Sequence, residues 1–424
     1  MKCYESWGRF PPLSARGSSC WSLDAVQITG KKDQLALGLG RSYGDSGLPP
    51  EGGTALGMAR CDRLRGFDES SGILRAEAGC SLESVLNWAV PRGWFLPVVP
   101  GTRFITLGGA LANDIHGKNH HADGTFGHWV ESFSLLRSEG AWREVRPGDG
   151  LFGATIAGLG LTGVLGEISV RLQKIPPGGW IEQESVAFPD LDGACDRLEE
   201  LDREFPMTVA WLDLASRARA AGVAMGGRFV EGDERADLAG PRLSVPFSAP
   251  ESALNKLSIS AFNRVYGWTR KTGRARVDFG SYFFPLDGVA HWNRLYGRRG
   301  FLQYQCVVAE RAALAELVER VLVADQRPFL TVLKKFGTRE SPGCLSFPRP
   351  GWTLAMDFPM RGAETLELMT RLDEIVRAAG GRLYPAKDAR MAGDFFRESY
   401  PEWERLEQWR DPAMMSAFWK RVTQ

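Results

Sequence analysis

Cysteine is scarce in this chain, and what there is does not pair off. The 424 residues carry seven, at 3, 20, 61, 80, 195, 306 and 344, odd in number and nowhere spaced CxxC. Such a set argues against a disulfide framework and against a zinc site, and it points to a reducing compartment. Net charge is nearly absent too. Lysine and arginine number 52 against 51 acidic residues, a balance of +1 with histidine neutral. The basic footprint of a nucleic-acid-binding protein is therefore missing. No run approaches the roughly 18 apolar residues of a membrane-spanning helix. The opening MKCYESWGRFPPLSARGSS lacks the apolar core of a signal peptide. Internal repeats and low-complexity tracts are missing as well. The expectation is a cytoplasmic protein, attached at most peripherally to the inner membrane, with no nucleic-acid partner.

What the chain does have is glycine and aromatic residues: 49 Gly, 14 Trp and 23 Phe. Its length exceeds what one core sustains, so two domains are expected. Up to about residue 175, short apolar runs alternate with glycine turns. DAVQIT, QLALGL, GILRAEAG, FSLLRSEG and GVLGEISVRL read as strands. SLESVLNWAVPRG reads as a helix, with Ser81 as N-cap, Glu83 in the first turn, and Leu82, Val85, Leu86 and Ala89 at helical spacing. KIPPGGW, 174–180, marks a boundary by its proline and glycine. Beyond it, ESVAFPDLDGACDRLEELDREF reads as a strand followed by an amphipathic helix. VDFGSYFFPLD and FLQYQCVV read as aromatic strands, and TVLKKFG and GWTLAMDFPM as further strands. ERAALAELVERVLVAD and ETLELMTRLDEIVRAAGG read as helices, the second closed by a glycine cap. This order predicts a second sheet covered by helices on one face, and an α+β fold class. The tail beyond RLYP reads as helical and aromatic.

Four stretches carry candidate chemistry. GLGRSYGDSG, 38–47, sets four glycines around Arg41, Ser42 and Tyr43 directly after a strand. Such a loop holds an anion such as a diphosphate on its free N–H groups; an ordinary surface turn has the same composition. PGTRFITLGGALANDIHGKNHHADGTFGHWV, 100–130, places Gly108 and Gly109 where a flat or extended ligand needs close approach. It then gathers His116, His120, His121 and His128 around Lys118. HxxxH is a metal spacing on a helix, but Gly117 and Gly124 break a regular helix and no cluster of acidic or cysteine ligands accompanies it. Hydrogen-bonded structural histidines are expected at 120, 121 and 128, and no metal. GLGLTG, 158–163, approaches a dinucleotide fingerprint but lacks its βαβ frame and the later acidic residue. GGRLYPAKDARM, 380–391, holds Lys387 close behind Tyr384. A lysine there is either a solvated surface charge or a functional one.

Together and in order, GRSYGDSG, PGTRFITLGGALANDIHGKNHHADGTFG and GLTGVLGEI resemble the FAD-binding half of flavoproteins of the vanillyl-alcohol oxidase type. PLDGVAHWNRLYGRRGFLQYQCVV, FLTVLKKFG, LSFPRPGW and GGRLYPAKDARM narrow the resemblance to the decaprenylphosphoryl-β-D-ribose oxidase group, the flavin partner of a two-enzyme epimerase. The likeness runs from about residue 20 to 400 and is weakest at 180–255. It implies a two-domain PCMH-type FAD-binding fold. Residues 1–177 would form the first part of the FAD-binding domain, 178–381 an antiparallel-sheet substrate domain, and 382–424 a segment returning to the FAD-binding domain.

The resemblance also implies roles. Gly40, Arg41, Ser42, Tyr43, Gly44 and Asp45 would wrap the FAD diphosphate. Gly101, Thr106, Leu107, Gly108 and Gly109 match a second cofactor segment, and Asn113, Asp114, Ile115 and His116 a third, with Leu165 and Tyr384 as further contacts. The first loop carries no histidine for a flavin link, so non-covalent FAD is expected. Lys387 matches the family's active-site lysine, with His116, Tyr43 and Gln305 beside it as catalytic residues. Lys118, Lys334, Gln303, Thr353 and Ala355 would face the substrate, the two lysines meeting its phosphate. Mycobacterial members have a cysteine where Ala355 stands, and an asparagine is common where Thr353 stands, so capture by covalent nitroaromatic inhibitors should be lost. The implied activity is oxidation of the 2-hydroxyl of a polyprenyl-phosphoryl pentofuranose to a 2-keto sugar. A separate NAD(P)H-dependent short-chain reductase would complete the epimerisation, and a quinone-like acceptor would take the electrons. A soluble aldonolactone or alditol oxidase using oxygen is the competing flavin chemistry, and a flavin-binding module without turnover the non-enzymatic one. The polar stretch around 226–275 is expected to be a mobile flap, a membrane-facing patch or a plain surface loop.

Overall fold

A computed structural model describes residues 2–424 except 30–31, 215–219, 233, 235, 237, 251–253, 255–258, 260–271 and 325. Much of the stretch expected to be a flap therefore lies outside the described residues.

Three sheets carry the architecture. In the first, Lys2–Glu5, Ser14–Ser19, Thr54–Gly57 and Gln34–Leu37 lie side by side in that order, the last three mutually parallel. In the second, Leu64–Asp68, Ile73–Glu77, Val164–Arg171, Val130–Leu136 and Trp142–Val145 form an antiparallel five-stranded sheet. The helix Leu82–Ala89 begins where its sequence says it should, with the Ser81 hydroxyl accepting from Ser84 N. It and the short helix Leu107–Ala112 bury Leu82, Val85, Leu86 and Leu111 against Leu74, Phe133, Ile168 and Val170 of the sheet.

The third sheet has eight antiparallel strands, in the order Gly273–Asp278, Trp180–Phe188, Gly222–Val230, Met207–Leu212, Thr331–Phe336, Gly351–Pro359, Phe301–Val308 and Arg382–Leu383. Helices Leu191–Glu204, Arg311–Val323 and Ala363–Ala378 cover one face. Strand alternation assigns the faces. Leu302, Tyr304, Cys306, Leu333, Leu354, Met356 and Phe358 turn to the helices and pack on Leu198, Leu314, Leu317 and Leu372. Each such leucine contributes roughly 1.5–3 kcal/mol by leaving water. The intervening residues, among them Gln303, Gln305, Lys334, Thr353 and Ala355, turn to the opposite face.

The tail folds as three short helices, Gly393–Ser399, Trp403–Trp409 and Ala417–Thr423. The strand Arg382–Leu383 still belongs to the large sheet; only after it does the chain reach the N-terminal elements. Gln34 N donates to Ala413 O at 2.8 Å, and Met415 N to Gln34 O at 3.0 Å.

Two expected strands are not strands. In DAVQIT, residues Leu23–Ala25 form a single 3-10 turn. In VDFGSYFFPLD the strand stops at Asp278, whose carboxylate accepts from Ser281 N at 2.7 Å and starts the helix Phe279–Phe283. The aromatic run has strand composition, but an N-cap aspartate with backbone donors to satisfy decides the local conformation.

Candidate active site

The strand Gln34–Leu37 runs straight into the 38–47 loop, and three constraints shape that loop. Gly38 lies against Thr106: a Cβ there would sit 2.4 Å from the threonine hydroxyl. Gly40 has φ +65°, a left-handed conformation that favours glycine. Gly44 presses on the C-terminal segment, where a Cβ would stand 1.7 Å from Asp388 O. Backbone bonds then clamp the loop from both sides. Trp7 N and Gly8 N donate to Ser42 O and Tyr43 O at 2.9 and 3.0 Å, and Tyr43 N donates to Ala386 O at 3.0 Å. Among the described residues, the amides of Gly40, Arg41 and Ser42 have no internal partner, which leaves them to a ligand.

A cavity of about 330 Å³ opens over this loop. Gly40, Arg41, Ser42, Tyr43 and Gly44 line one end. Gly101, Thr106, Gly108 and Gly109 form the adjoining wall, the Thr106 hydroxyl accepting from Gly109 N at 3.0 Å. Asn113, Ile115, His116 and Leu165 continue it. Across the cavity stand Gln303, Gln305, Lys334, Thr353 and Ala355 from the open face of the large sheet, and Tyr384 and Lys387 from the turn after its last strand. Tyr384 is anchored by its hydroxyl, which donates to Asn113 O at 3.0 Å.

Four residues expected at the cofactor or substrate are turned elsewhere. The Asp45 carboxylate accepts from Arg421 Nε and Nη2 at 3.0 and 2.9 Å, so it ties the loop to the final helix. Leu107 is fully buried in the core of the first half. The buried Asp114 carboxylate accepts from Gly127 N at 2.8 Å and from the hydroxyls of Ser341 and Ser346. Lys118 donates to Tyr282 O, with its ammonium 4.4 Å from the centre of the Tyr282 ring. Each was placed by its match to a family segment, which gives the position along the chain but not the direction of the side chain. Asp114→Ala should lower stability by about 3 kcal/mol, because it strands an amide and two hydroxyls in the interior. Thermal or denaturant unfolding measures this; a loss under about 0.5 kcal/mol would show the node to be dispensable.

The histidines divide. His121 Nε2 meets Phe205 O at 3.1 Å and His128 Nε2 meets Glu340 O at 2.8 Å, both structural contacts. Among the described residues no three His, Cys, Asp or Glu side chains come together as a metal site. His116 alone of the group lines the cavity. Its Nε2 lies 3.1 Å from Gln305 Nε2, which also donates to Thr353 Oγ1 at 3.2 Å. Its Nδ1 is buried without a partner among the described residues. Burial, followed by the nearby Lys334 charge, pushes its pKa well below the usual histidine value, so the ring is neutral and accepts from the Gln305 amide.

Opposite it, the Lys387 ammonium sits 3.5 Å from the centre of the Tyr43 ring. Burial pulls its pKa down to about 7, against the attraction of Asp357. Burial likewise lowers Lys334 to about 8. Two lysines titrating near neutrality in one cavity are the mark of groups adapted to hold or release a proton, or to meet an anion. Sequence reading missed Trp7, Trp292 and Leu330, which line the cavity, and Asp357, which lies behind it. Of these only Asp357 had a legible signal: it follows Thr353 and Ala355 at period two on one strand.

The cradle suits FAD. Glycines at 40, 101 and 109 leave room where side chains would intrude, residues 40–42 with their unbonded amides line the cavity, and among the described residues the buried Arg41 Nε has no partner. Arg41 packs its guanidinium 3.9 Å from the Trp7 ring centre, so a cation is held at the glycine-rich end, where a diphosphate would be neutralised.

Comparison with known proteins agrees. A family model described as an FAD binding domain matches residues 24–146. Decaprenylphosphoryl-beta-D-ribose oxidase of Mycolicibacterium smegmatis is 34% identical over 443 aligned positions, covering 96% of this chain and 94% of that protein. An uncharacterized protein in the mprA 5' region of Streptomyces coelicolor is 33% identical over 351 positions, covering 76% of this chain and 92% of its own. Identity at that level along nearly the whole length supports one assignment: the chain is an FAD-dependent oxidoreductase and belongs to the decaprenylphosphoryl-β-D-ribose oxidase family.

Proposed function

We propose that the protein oxidises the 2-hydroxyl of a polyprenyl-phosphoryl pentofuranose of the ribose type to the 2-keto sugar. The observation that carries this reading is the meeting, in one cavity, of a glycine-walled cofactor cradle with Lys387, Gln305, His116 and Lys334. FAD, when bound, supplies the acceptor for the hydride leaving the carbinol carbon. The chain's own residues do the rest. Lys387, titrating near neutrality, takes or steadies the hydroxyl proton. Neutral His116 and Thr353 fix Gln305, which orients the sugar. Lys334, whose only hydrogen bond among the described residues is a 3.5 Å one to Gly117 O, meets the substrate phosphate. Gln303 and Ala355 shape the wall beside it. In this reading FAD is held without a covalent link, residues 1–177 and 382–424 serve the cofactor, and 178–381 serve the substrate.

A lipid-linked substrate requires a route from a membrane. Among the described residues no helix is long and apolar enough to cross one. Leu243 and Phe247, however, are 67% and 79% exposed on a segment whose strand Leu243–Ser244 pairs with Val289–Ala290, next to the cavity-lining Trp292. These side chains suit peripheral contact with the inner membrane, where a quinone-like acceptor and a separate NAD(P)H-dependent short-chain reductase would act in turn. The test is anaerobic mixing of the yellow enzyme with prenyl-phosphoryl pentoses and, separately, with free aldonolactones and alditols. Bleaching by the prenyl-phosphoryl sugars alone supports the proposal. Bleaching by the free sugars, with rapid reoxidation in oxygen, overturns it in favour of a soluble sugar oxidase.

A further inference from the structure

Asp357 has no place in the roles given so far, yet it is a carboxylate only 1% exposed on the strand that supplies Thr353 and Ala355. An isolated buried carboxylate is costly and persists where something uses it. Its location is strictly determined. Gln303 and Asp357 are opposed across the neighbouring strands Phe301–Val308 and Gly351–Pro359, and Gln303 Nε2 donates to its Oδ1 at 2.6 Å. Its backbone is pinned on both sides, Asp357 N donating to Leu330 O at 3.0 Å and Phe329 N to Asp357 O at 2.8 Å. The backbone is thus fixed, and the Gln303 bond holds one carboxylate oxygen.

Four polar groups face it from separate elements: Gln303 from the neighbouring strand, Tyr296 from the preceding 3-10 turn, Tyr43 from the glycine loop and Lys387 from the C-terminal turn. Only Lys387 among them carries a positive charge. The remaining titratable or charged groups near this cluster are Lys334, which repels Lys387, His116, which burial and the two lysines keep neutral, and Arg41 and Asp287, which act on Tyr43. Lys387 itself rests on the Tyr43 ring, a cation–π contact, and among the described residues it makes no ion pair within 4.0 Å.

We propose that Asp357 is a positioning residue for this oxidation, the fixed counter-charge that, steered by Gln303, keeps the Lys387 ammonium protonated and aimed into the cavity. The proposal rests on the reading of Lys387 as the working lysine. Burial alone drives an ammonium toward its neutral form, and an opposite charge within a few ångströms restores the charged one. Burial raises Asp357 to about 6, offset by Gln303 and Lys387, and the lysine titrates at about 7. Burial thus pulls both groups toward their neutral forms, and each draws the other back toward its charged one. The balance between burial and Asp357 sets how much of the enzyme carries the proton.

The test is the pH dependence of anaerobic flavin reduction between pH 5 and 9 in wild type, Asp357→Asn and Asp357→Glu. A phosphodiester substrate does not titrate in this window. The wild type should show an inflection near pH 7. In Asp357→Asn that inflection should move to lower pH by about one unit or more, as expected for loss of a close opposite charge. Asp357→Glu should move it back toward the wild-type position. A role in folding alone would lower the melting temperature and leave the inflection unmoved. If Asp357→Asn does not retain flavin, Gln303→Met supplies the same reading: releasing the carboxylate from its hydrogen bond should also displace the inflection. An inflection that stays put in the folded, yellow variants, or is missing from the wild type, overturns the proposal. A Lys387→Ala enzyme that reduces its flavin at the normal rate would instead bring down the underlying assignment of the lysine, so the two failures are distinguishable.

Discussion

Lys387→Ala should leave a folded, yellow protein whose flavin is reduced by substrate at least about 100-fold more slowly, the lower end of what a positioned proton-transfer group contributes. The first half of that expectation follows from how the turn is built. Lys387 N donates to Tyr384 O at 2.9 Å, Asp388 N donates to the same oxygen at 3.0 Å, and the Tyr384 hydroxyl is tied to Asn113 O. None of these bonds uses the lysine side chain. Removing it also leaves the buried Asp357 carboxylate without its counter-charge, so the melting temperature should fall while the fold and the flavin are kept. The second half follows from its position in the cavity, over the Tyr43 ring and opposite Gln305. Stopped-flow absorbance under anaerobic conditions separates the two parts, with the flavin spectrum reporting retention and its bleaching rate reporting chemistry. A variant within tenfold of wild type would remove Lys387 from the reaction.

Gly44→Ala should abolish FAD retention and destabilise the fold by at least about 3 kcal/mol, the upper end of overpacking penalties. The reason is geometric. The added methyl carbon would lie 1.7 Å from the carbonyl oxygen of Asp388 and 2.9 Å from Ala389 Cα, both backbone atoms. A side chain could rotate away; these atoms cannot, because the turn that carries them is held by Arg421, whose guanidinium binds both Asp45 and Asp388. Relief requires the glycine loop and the lysine turn to separate, which breaks the Tyr43 N to Ala386 O bond and opens the cradle. Purified Gly44→Ala should be colourless or markedly poorer in flavin, with a lowered melting temperature. Gly101→Ala is the control, since a Cβ there meets nothing within 4 Å of the protein; it should fold normally and test only the space next to the ligand. A fully loaded Gly44→Ala enzyme of normal stability would refute the close packing of the two segments.

Much of this was legible in the residues because it follows local rules. Period-two alternation in FLQYQCVV and GWTLAMDFP separates Leu302, Tyr304, Leu354 and Met356 from Gln303, Gln305, Thr353 and Ala355 before any partner strand is known. Helical stripes with their caps place Leu82–Ala89 and Ala363–Ala378. The same rules failed where composition and a single polar group disagreed, as at Asp278, whose capping bond turned an aromatic run into a helix. A match to family segments likewise gives position along the chain without side-chain direction. Asp45, Leu107, Asp114 and Lys118 sit beside cavity residues in the chain, yet each points into the protein.

The sequence by itself determined the α+β class, the glycine loop after its strand, and which residues of the central strands share a face. These depend on backbone freedom and on residue periods of two and 3.6. Only the tertiary structure decided that the 38–47 loop and the 384–388 turn form one wall, that Arg421 holds Asp45 across 376 residues, and that Asp357 is buried beside Gln303, behind the cavity that Lys387 lines. Such pairings arise when distant segments are packed together. Burial then changes the pKa of the very groups it unites, and no local pattern in the chain records which groups those will be.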